Sequence, residues 1–313
     1  MAVLMVVFVT GCGACIGNGD VDGPDREGRW GIYYLDLDTG DTELIISFDD
    51  PIGTIRLDPS GQWLAFSKNI DDGEKEHEEI CTVSVTGEDL RVVTSNGYWD
   101  LYPTWSSDGE RIAFLSWRDE GLDIYVIGWD GKGETLLFDS GYHDADIHWA
   151  CDKIVFTSQS CIYMMNDDGT SPRRMTSLSN AGEWGDANLP FGDYDPQLDP
   201  TCTRIVFERL EDDSSPHGNY NIYSIGIDGN NEERLTDTGY SQGFASWSHS
   251  GDRLVFMVSA IGDKGVYDIY VMNADGSDCA NVTPQCYPDE FLCSCPIFSI
   301  DDSRIYFVGE WWE

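Results

Sequence analysis

The chain is short of positive charge. Lys and Arg number 18 against 57 Asp and Glu in 313 residues, a formal net charge of −39. That shortage excludes nucleic acid as a partner, because gripping a polyphosphate takes a set of Lys/Arg contacts. It also disfavours anionic membrane surfaces and uronic-acid polymers unless a metal bridges them, and favours cationic partners and divalent ions. No run of 18 apolar residues occurs, so the sequence offers no membrane-spanning helix. The glycines sit at turns and form no phosphate-loop pattern. The ten cysteines include a single Cys-x-x-Cys, Cys12-Gly13-Ala14-Cys15, rather than the paired knuckles of a zinc site. No Pro/Ser/Gly-rich linker divides the chain, which suits one large domain.

What is present is a repeat. A strand-like phrase, as in Arg111-Ile112-Ala113-Phe114, recurs with its phenylalanine at Phe66, Phe114, Phe156, Phe207, Phe256 and Phe307, in steps of 48, 42, 51, 49 and 51 residues. Such a period marks a propeller or an array. A second phrase starts at Ile32-Tyr33, Ile80-Cys81, Ile124-Tyr125, Ile162-Tyr163, Ile222-Tyr223 and Ile269-Tyr270. Each unit then supplies four short strands. Strand A surrounds a Trp such as Trp105 or Trp247, B carries the Phe phrase, C the Ile-Tyr phrase, and D a segment such as Glu233-Arg234-Leu235-Thr236. Asp-Gly and Asn-Gly pairs supply the turns, because they tolerate the positive φ of tight hairpins. B and C are nearly continuous apolar runs, as a sheet covered on both faces requires. The chain opens with C and D strands (31–35, 42–47) and finishes with A and B strands (296–299, 304–308). Pairing those halves as a composite sixth blade removes the open edges. The expected fold is all-β, a six-bladed propeller of four-stranded blades over residues 30–313.

At the level of motif, Tyr102-Pro103-Thr104-Trp105-Ser106-Ser107-Asp108-Gly109-Glu110-Arg111-Ile112-Ala113-Phe114, then Arg118-Asp119 and Asp123-Ile124-Tyr125-Val126, resembles the signature repeat of TolB-type six-bladed propellers. Phe244 to Phe256 with Asp268 to Gly276 is the next-best copy. Two copies depart from it: Trp149-Ala150-Cys151-Asp152 and Leu198-Asp199-Pro200-Thr201-Cys202 replace the Ser-Pro-Asp-Gly turn. The resemblance covers the ring; TolB itself carries an additional N-terminal α/β domain, for which this chain has no room. The repeat is a structural signature, and fold does not settle function.

Residues 1–12, Met-Ala-Val-Leu-Met-Val-Val-Phe-Val-Thr-Gly-Cys, resemble the lipobox of bacterial lipoproteins, although the basic n-region of a signal peptide is missing. The resemblance implies a signal peptide over 1–11, a diacylglycerol anchor on Cys12 and an acidic tether over 12–29, with Gly13 suiting outer-membrane sorting. Within the tether, Asn18 to Asp25 matches the first half of a calcium loop, but Arg29 occupies the twelfth position, where a bidentate Glu is required. The cysteine count points to an oxidising compartment. Cys286 with Cys293 or Cys295, in one D-to-A loop, and Cys151 with Cys202, in equivalent turns of neighbouring blades, are the expected bridges.

Most Asp residues belong to turns, among them Asp108, Asp130, Asp168, Asp228, Asp252 and Asp275. The exceptions lie where the chain enters strand A. Counting back from the Trp position, Asp100, Asp144 and Asp193 coincide in three successive blades, with Asp146 and Asp195 two residues later. Strand A lines the central channel, so these carboxylates are expected at one mouth of it. Two roles are open: a site for Ca²⁺, another divalent cation or a cationic peptide, or hydrogen bonds to the loops of each blade. Alternation along His143-Asp144-Ala145-Asp146-Ile147-His148 puts Asp144, Asp146 and His148 on one side, with His143 beside them. The insertion from Ser177 to Tyr194, holding Trp184, Phe191 and Tyr194, is expected on the same face and adds aromatics for a Lys/Arg-bearing peptide or a sugar ring.

Nucleophilic catalysis is not expected: no Gly-x-Ser-x-Gly elbow is expected, and the α/β-hydrolase domain that such propellers precede in the prolyl oligopeptidase family is absent. Two functions from different classes remain. One is a monomeric, lipid-anchored envelope propeller that binds a protein or cationic peptide at the acidic mouth without catalysis. The other is a metal-dependent lyase or hydrolase on carbohydrate, by resemblance to oligogalacturonate lyase, whose site uses several converging histidines where only His143 and His148 are well placed here. The shortage of basic groups favours binding.

Overall fold

Each copy of the Phe phrase forms the second strand of a four-stranded antiparallel sheet, and each Ile-Tyr phrase the third. The computed structural model describes residues 28–71, 76–118, 121–178, 191–212, 219–260, 266–284 and 291–312. Six such sheets are arranged as blades around a channel lined by their first strands. Blade I comprises β3 (Arg56–Leu57), β4 (Trp63–Asp71), β5 (Glu76–Ser84) and β6 (Arg91–Val92); blade II, β7 (Trp99–Trp105), β8 (Arg111–Arg118), β9 (Gly121–Gly128) and β10 (Thr135–Phe138). Blade III comprises β11 (Asp144–Ala150), β12 (Lys153–Ser158), β13 (Cys161–Asn166) and β14 (Arg173–Arg174); blade IV, β15 (Gly192–Leu198), β16 (Arg204–Asp212), β17 (Asn219–Gly226) and β18 (Glu233–Arg234). Blade V is β19 (Ser241–Trp247), β20 (Arg253–Ala260), β21 (Val266–Asn273) and β22 (Ala280–Asn281).

Blade VI is composite. β23 (Leu292–Phe298) and β24 (Arg304–Trp312) pair with β1 (Gly28–Asp36) and β2 (Thr42–Phe48) in the order β2-β1-β24-β23. The seam runs from Gly28 opposite Trp312 to Asp36 opposite Arg304 without a register shift. Cys293 and Cys295 therefore lie in strand A of this blade rather than in the loop before it.

The repeat exists because its two phrases pack on each other. Phe114 lies opposite Tyr125, Phe156 opposite Tyr163, Phe207 opposite Tyr223, Phe256 opposite Tyr270 and Phe307 opposite Tyr33. Cross-strand aromatic pairs of this kind hold a sheet together. All six phenylalanines are buried, and apolar clusters fill the six junctions between blades. A recurring Thr after strand D accepts the N–H of the strand-C isoleucine: Thr94 from Ile80, Thr176 from Ile162, Thr236 from Ile222 and Thr283 from Ile269. The turn aspartates are caps as well, Asp130, Asp168, Asp228 and Asp275 each accepting the N–H two residues on.

Strand A departs from a plain strand. Tyr102, Asp146, Asp195, Phe244 and Cys295, at one position of five blades, have φ between +47° and +52° and mark a bulge where the A-to-B register shifts. Such a bulge re-aims side chains.

Cys151 and Cys202, at left-handed positions of the A-to-B turns of blades III and IV, form a disulfide with Cα atoms 6.6 Å apart. Cys151→Ser/Cys202→Ser is expected to lose about 2–4 kcal/mol, largely by freeing the unfolded chain. Urea denaturation with and without reductant measures this, and an unchanged midpoint for the double variant would refute it.

Candidate functional site

Strand A enters each blade from the face that carries the D-to-A and B-to-C loops. There Asp100 lies opposite Ser116, Asp144 opposite Ser158 and Asp193 opposite Arg209. All three aspartates are fully buried. Asp100 accepts from the Ser116 hydroxyl and, at 2.8 Å, from Asn96 Nδ2. Asp144 accepts from Ser140 Oγ at 2.6 Å. Asp193 receives a two-pronged contact from Arg209, Nε at 2.6 Å and Nη2 at 3.1 Å, and Arg209 continues to Glu232 at 2.7 Å. Burial pushes the Asp100 and Asp144 carboxyls up to about 7. Each aspartate is tied into its own blade. Among the described residues no three His, Cys, Asp or Glu side chains are arranged to hold one metal ion. Both oxygens of Asp100 and of Asp193 are hydrogen-bonded, whereas Oδ2 of Asp144 is buried without a partner.

The bulge separates Asp146 from Asp144. Asp144 turns to Ser140, whereas Asp146 Oδ2 takes the N–H of Asp195 at 3.4 Å and His148 Nδ1 takes that of Leu198 at 3.1 Å, both from blade IV. Asp146 and Asp195 share the electrostatic surroundings of Arg56, which comes from blade I. Glu208, on strand B of blade IV, accepts the N–H of Phe244 in blade V and abuts Asp195. A chain of carboxyls thus links blades III, IV and V. With both carboxyls ionised, neither oxygen of Asp195 nor Oε2 of Glu208 has a donor, so a proton shared between them is the satisfied state. Burial raises Glu208 to about 8, Asp146 to about 6 and Asp195 well above the usual carboxylate range.

Arg56 and Glu208 escape a reading that follows aspartates alone, yet the repeat marks both. Glu208 follows the Phe of its phrase where the other copies have Ser67, Leu115, Thr157, Met257 and Val308. Arg56 precedes the last residue of strand A where the others have Thr104, His148, Gln197, Ser246 and Ile297.

Among the described residues no three histidines are grouped, and His217 lies outside them. His143 is stacked on Trp117 with centroids 5.1 Å apart and accepts the N–H of Leu122. Burial holds His148 neutral, with its pKa pushed down to about 3. His77 is buried against Glu79, Nε2 to Oε1 3.1 Å. Gly239-Tyr240-Ser241-Gln242-Gly243 spells the Gly-x-Ser-x-Gly pattern, but Ser241 is buried in β19 and its hydroxyl accepts the N–H of Tyr220. A nucleophile elbow needs an exposed Ser on a strand-to-helix turn. Trp184, Cys12 and Cys286 lie outside the described residues; Phe191 and Tyr194 pack with Leu210 and Tyr220 in blade IV.

One further repeat element surrounds the channel mouth. Gly97-Tyr98, Gly141-Tyr142 and Gly239-Tyr240 stand seven residues before the Trp in blades II, III and V. Gly97 and Gly141 take φ of +71° and +76°, which favours glycine. The tyrosines that follow are 44%, 58% and 48% exposed.

Six four-stranded blades closed by a composite blade define a six-bladed β-propeller. In fold the chain is a TolB-like propeller: a structure described as a TolB candidate from Agrobacterium tumefaciens superposes with a TM-score of 0.70 at 19% identity, over 91% of this chain and 99% of that one. TolB from Acinetobacter baumannii gives 0.61 at 16% identity, covering 91% of this chain and 66% of that one. Oligogalacturonate lyase in complex with manganese gives 0.57 at 14%, covering 90% and 82%. In sequence, the chain is 26% identical over 215 residues to an uncharacterized protein of Agrobacterium fabrum, 64% of this chain and 68% of that protein. It is 30% identical over 111 residues to the Tol-Pal system protein TolB of Desulfosudis oleivorans, 34% of this chain and 24% of that protein. No family profile matches the chain.

Proposed function

We propose that this chain is a non-catalytic propeller of the cell envelope that binds a protein, through a basic segment, at the mouth ringed by the D-to-A loops. The observation that carries the reading is the set of exposed tyrosines, Tyr98, Tyr142 and Tyr240, placed by one repeat position in the D-to-A loops of three blades. Tyr supplies large contact area at little entropic cost and is enriched at interfaces. A net charge of −39 steers basic partners toward it. Envelope placement rests on the likeness to a Tol-Pal system protein, the lipobox-like Cys12 and the disulfide. Arg56 places one positive charge inside the channel near Asp146 and Asp195.

The test is a pull-down from envelope extract with the protein and with Tyr98→Ala/Tyr142→Ala/Tyr240→Ala, all exposed positions that leave folding intact. Hot-spot aromatics lose about 2 kcal/mol or more each when truncated, so the captured partner is expected to be lost from the triple variant. Equal capture by both would sink the mouth-face reading. Turnover of an oligogalacturonide by the purified protein would replace it with the lyase alternative.

A further inference from the structure

On the face of the A-to-B turns, opposite the tyrosines, the strand-A ends enclose a cavity of about 310 Å³. That is the lower end of the range for small-molecule sites, roughly 300–1,000 Å³. Its wall is a collar of Leu57, Trp105, Trp149, Leu198, Trp247 and Phe298, one equivalent residue from each blade. Trp105 Nε1 donates to the Arg56 carbonyl and Trp247 Nε1 to the Gln197 carbonyl, each at 3.2 Å, which fixes those rings. Trp149 Nε1 is buried and has no partner.

One position deeper, Arg56 and His148 also line the cavity. Because His148 Nδ1 accepts the Leu198 N–H, the neutral ring carries its proton on Nε2, and among the described residues that atom makes no hydrogen bond. Arg56 donates Nη1 to the Ile55 carbonyl at 2.9 Å, while its Nε is buried without a partner. Among the described residues no carboxylate forms an ion pair with it. Asp146 and Asp195 lie within its field but do not line the cavity. A guanidinium with unused donors inside an apolar collar is costly to leave unpaired.

We propose that this cavity binds a small carboxylic acid with an aromatic or branched apolar body, its carboxylate on Arg56 and the Nε2–H of His148 and its body within the collar. The guanidinium fork matches a carboxylate. The lining also holds Asp58, whose carboxylate is taken up by Ser60 and by the N–H groups of Gln62 and Trp63, and the imidazole of His249; a dianion such as phosphate would need a second permanent cation, which these residues do not supply, and an ammonium would meet Arg56 head-on. The same chemistry is carried by a free acid and by the C-terminal residue of a peptide. This site is independent of the tyrosine-ringed mouth and stands whether or not that face binds a protein.

The experiment is calorimetric titration of the full chain with N-acetylphenylalanine, its carboxamide, indole-3-acetate and a hexapeptide ending in a free Phe carboxylate. The acids are expected to bind at least ~10-fold more tightly than the carboxamide, the range of a charge-assisted hydrogen bond. Arg56→Gln should abolish that preference. Since Arg56→Gln alters a buried charge, Ile300→Glu serves as the second variant: Ile300 lines the cavity and is 37% exposed. It should weaken the acids by a larger factor than the carboxamide and leave the melting temperature unchanged. Tighter binding of the hexapeptide than of N-acetylphenylalanine assigns the site to a peptide C-terminus, and weaker binding assigns it to a free acid. Equal binding of acid and carboxamide, or no binding of any acid to the folded protein, overturns the proposal.

Discussion

Arg209→Ala is expected to destabilise the propeller by about 3–5 kcal/mol, the cost of leaving a buried charge without its partner. Arg209 is 7% exposed and Asp193 is fully buried. The guanidinium satisfies both oxygens of Asp193, reaches Glu232, and stacks over Tyr223 with its centre 4.6 Å from the ring centroid. Alanine removes the pairing, the donors and the stacking contact together. Asp193→Asn/Arg209→Met, which deletes the charge on both sides, should recover much of the loss. Equilibrium denaturation of the single and double variants measures both effects. A single variant within ~1 kcal/mol of the parent would mean that the pair is hydrated and structurally idle.

Raising the pH from 5.5 to 8 is expected to destabilise the fold, on the order of 5 kcal/mol, opposite to the usual gain as carboxylates ionise. Burial raises Glu78, Asp100 and Asp144 to about 7 and Glu208 to about 8. In the unfolded chain these groups release their protons near pH 4. Between the two values the folded state binds more protons, so stability falls as pH rises through the folded pKa values. His148 works the other way below about 6.5, because its folded pKa is pushed down to about 3. It is one group against several. Thermal unfolding in high salt, which screens the surface charge, should show a lower melting temperature at pH 8. A flat or rising profile would mean that the buried carboxyls are ionised in the fold. Glu208→Gln should reduce the slope, since of these four groups it is the one burial raises furthest.

The repeat made the fold legible. Six phenylalanines at a near-constant step, the Ile-Tyr phrase and the split C/D and A/B ends suffice to place every blade and the closing seam. The channel was harder to read, because strict alternation along strand A is interrupted where Asp146 and Asp195 adopt positive φ. Neither residue is glycine, so no composition cue announces the bulge. Asp100, Asp144 and Asp193 occupy one aligned position, but alignment alone does not reveal that Ser116 and Arg209 would bind the first and third and that Ser140 would take one oxygen of Asp144. Arg56 and Glu208 stand out in the repeat as charged residues where the other copies carry uncharged ones. The collar needed no exotic signal: it is the Trp position itself, seen from the other end of the channel.

The composite blade also orders the steps by which the protein is made. Blades I to V are built from neighbouring hairpins and can form in succession as the chain is synthesised. β1 cannot complete its sheet so early, since Asp36 pairs with Arg304, 268 positions later. The first described strand must wait for the last, with an unpaired edge exposed throughout, and the closing contact is the most distant in sequence among the strand pairs and hence slow. A ribosome that stalls after blade V therefore releases an open arc with two adhesive ends rather than a slightly shorter ring.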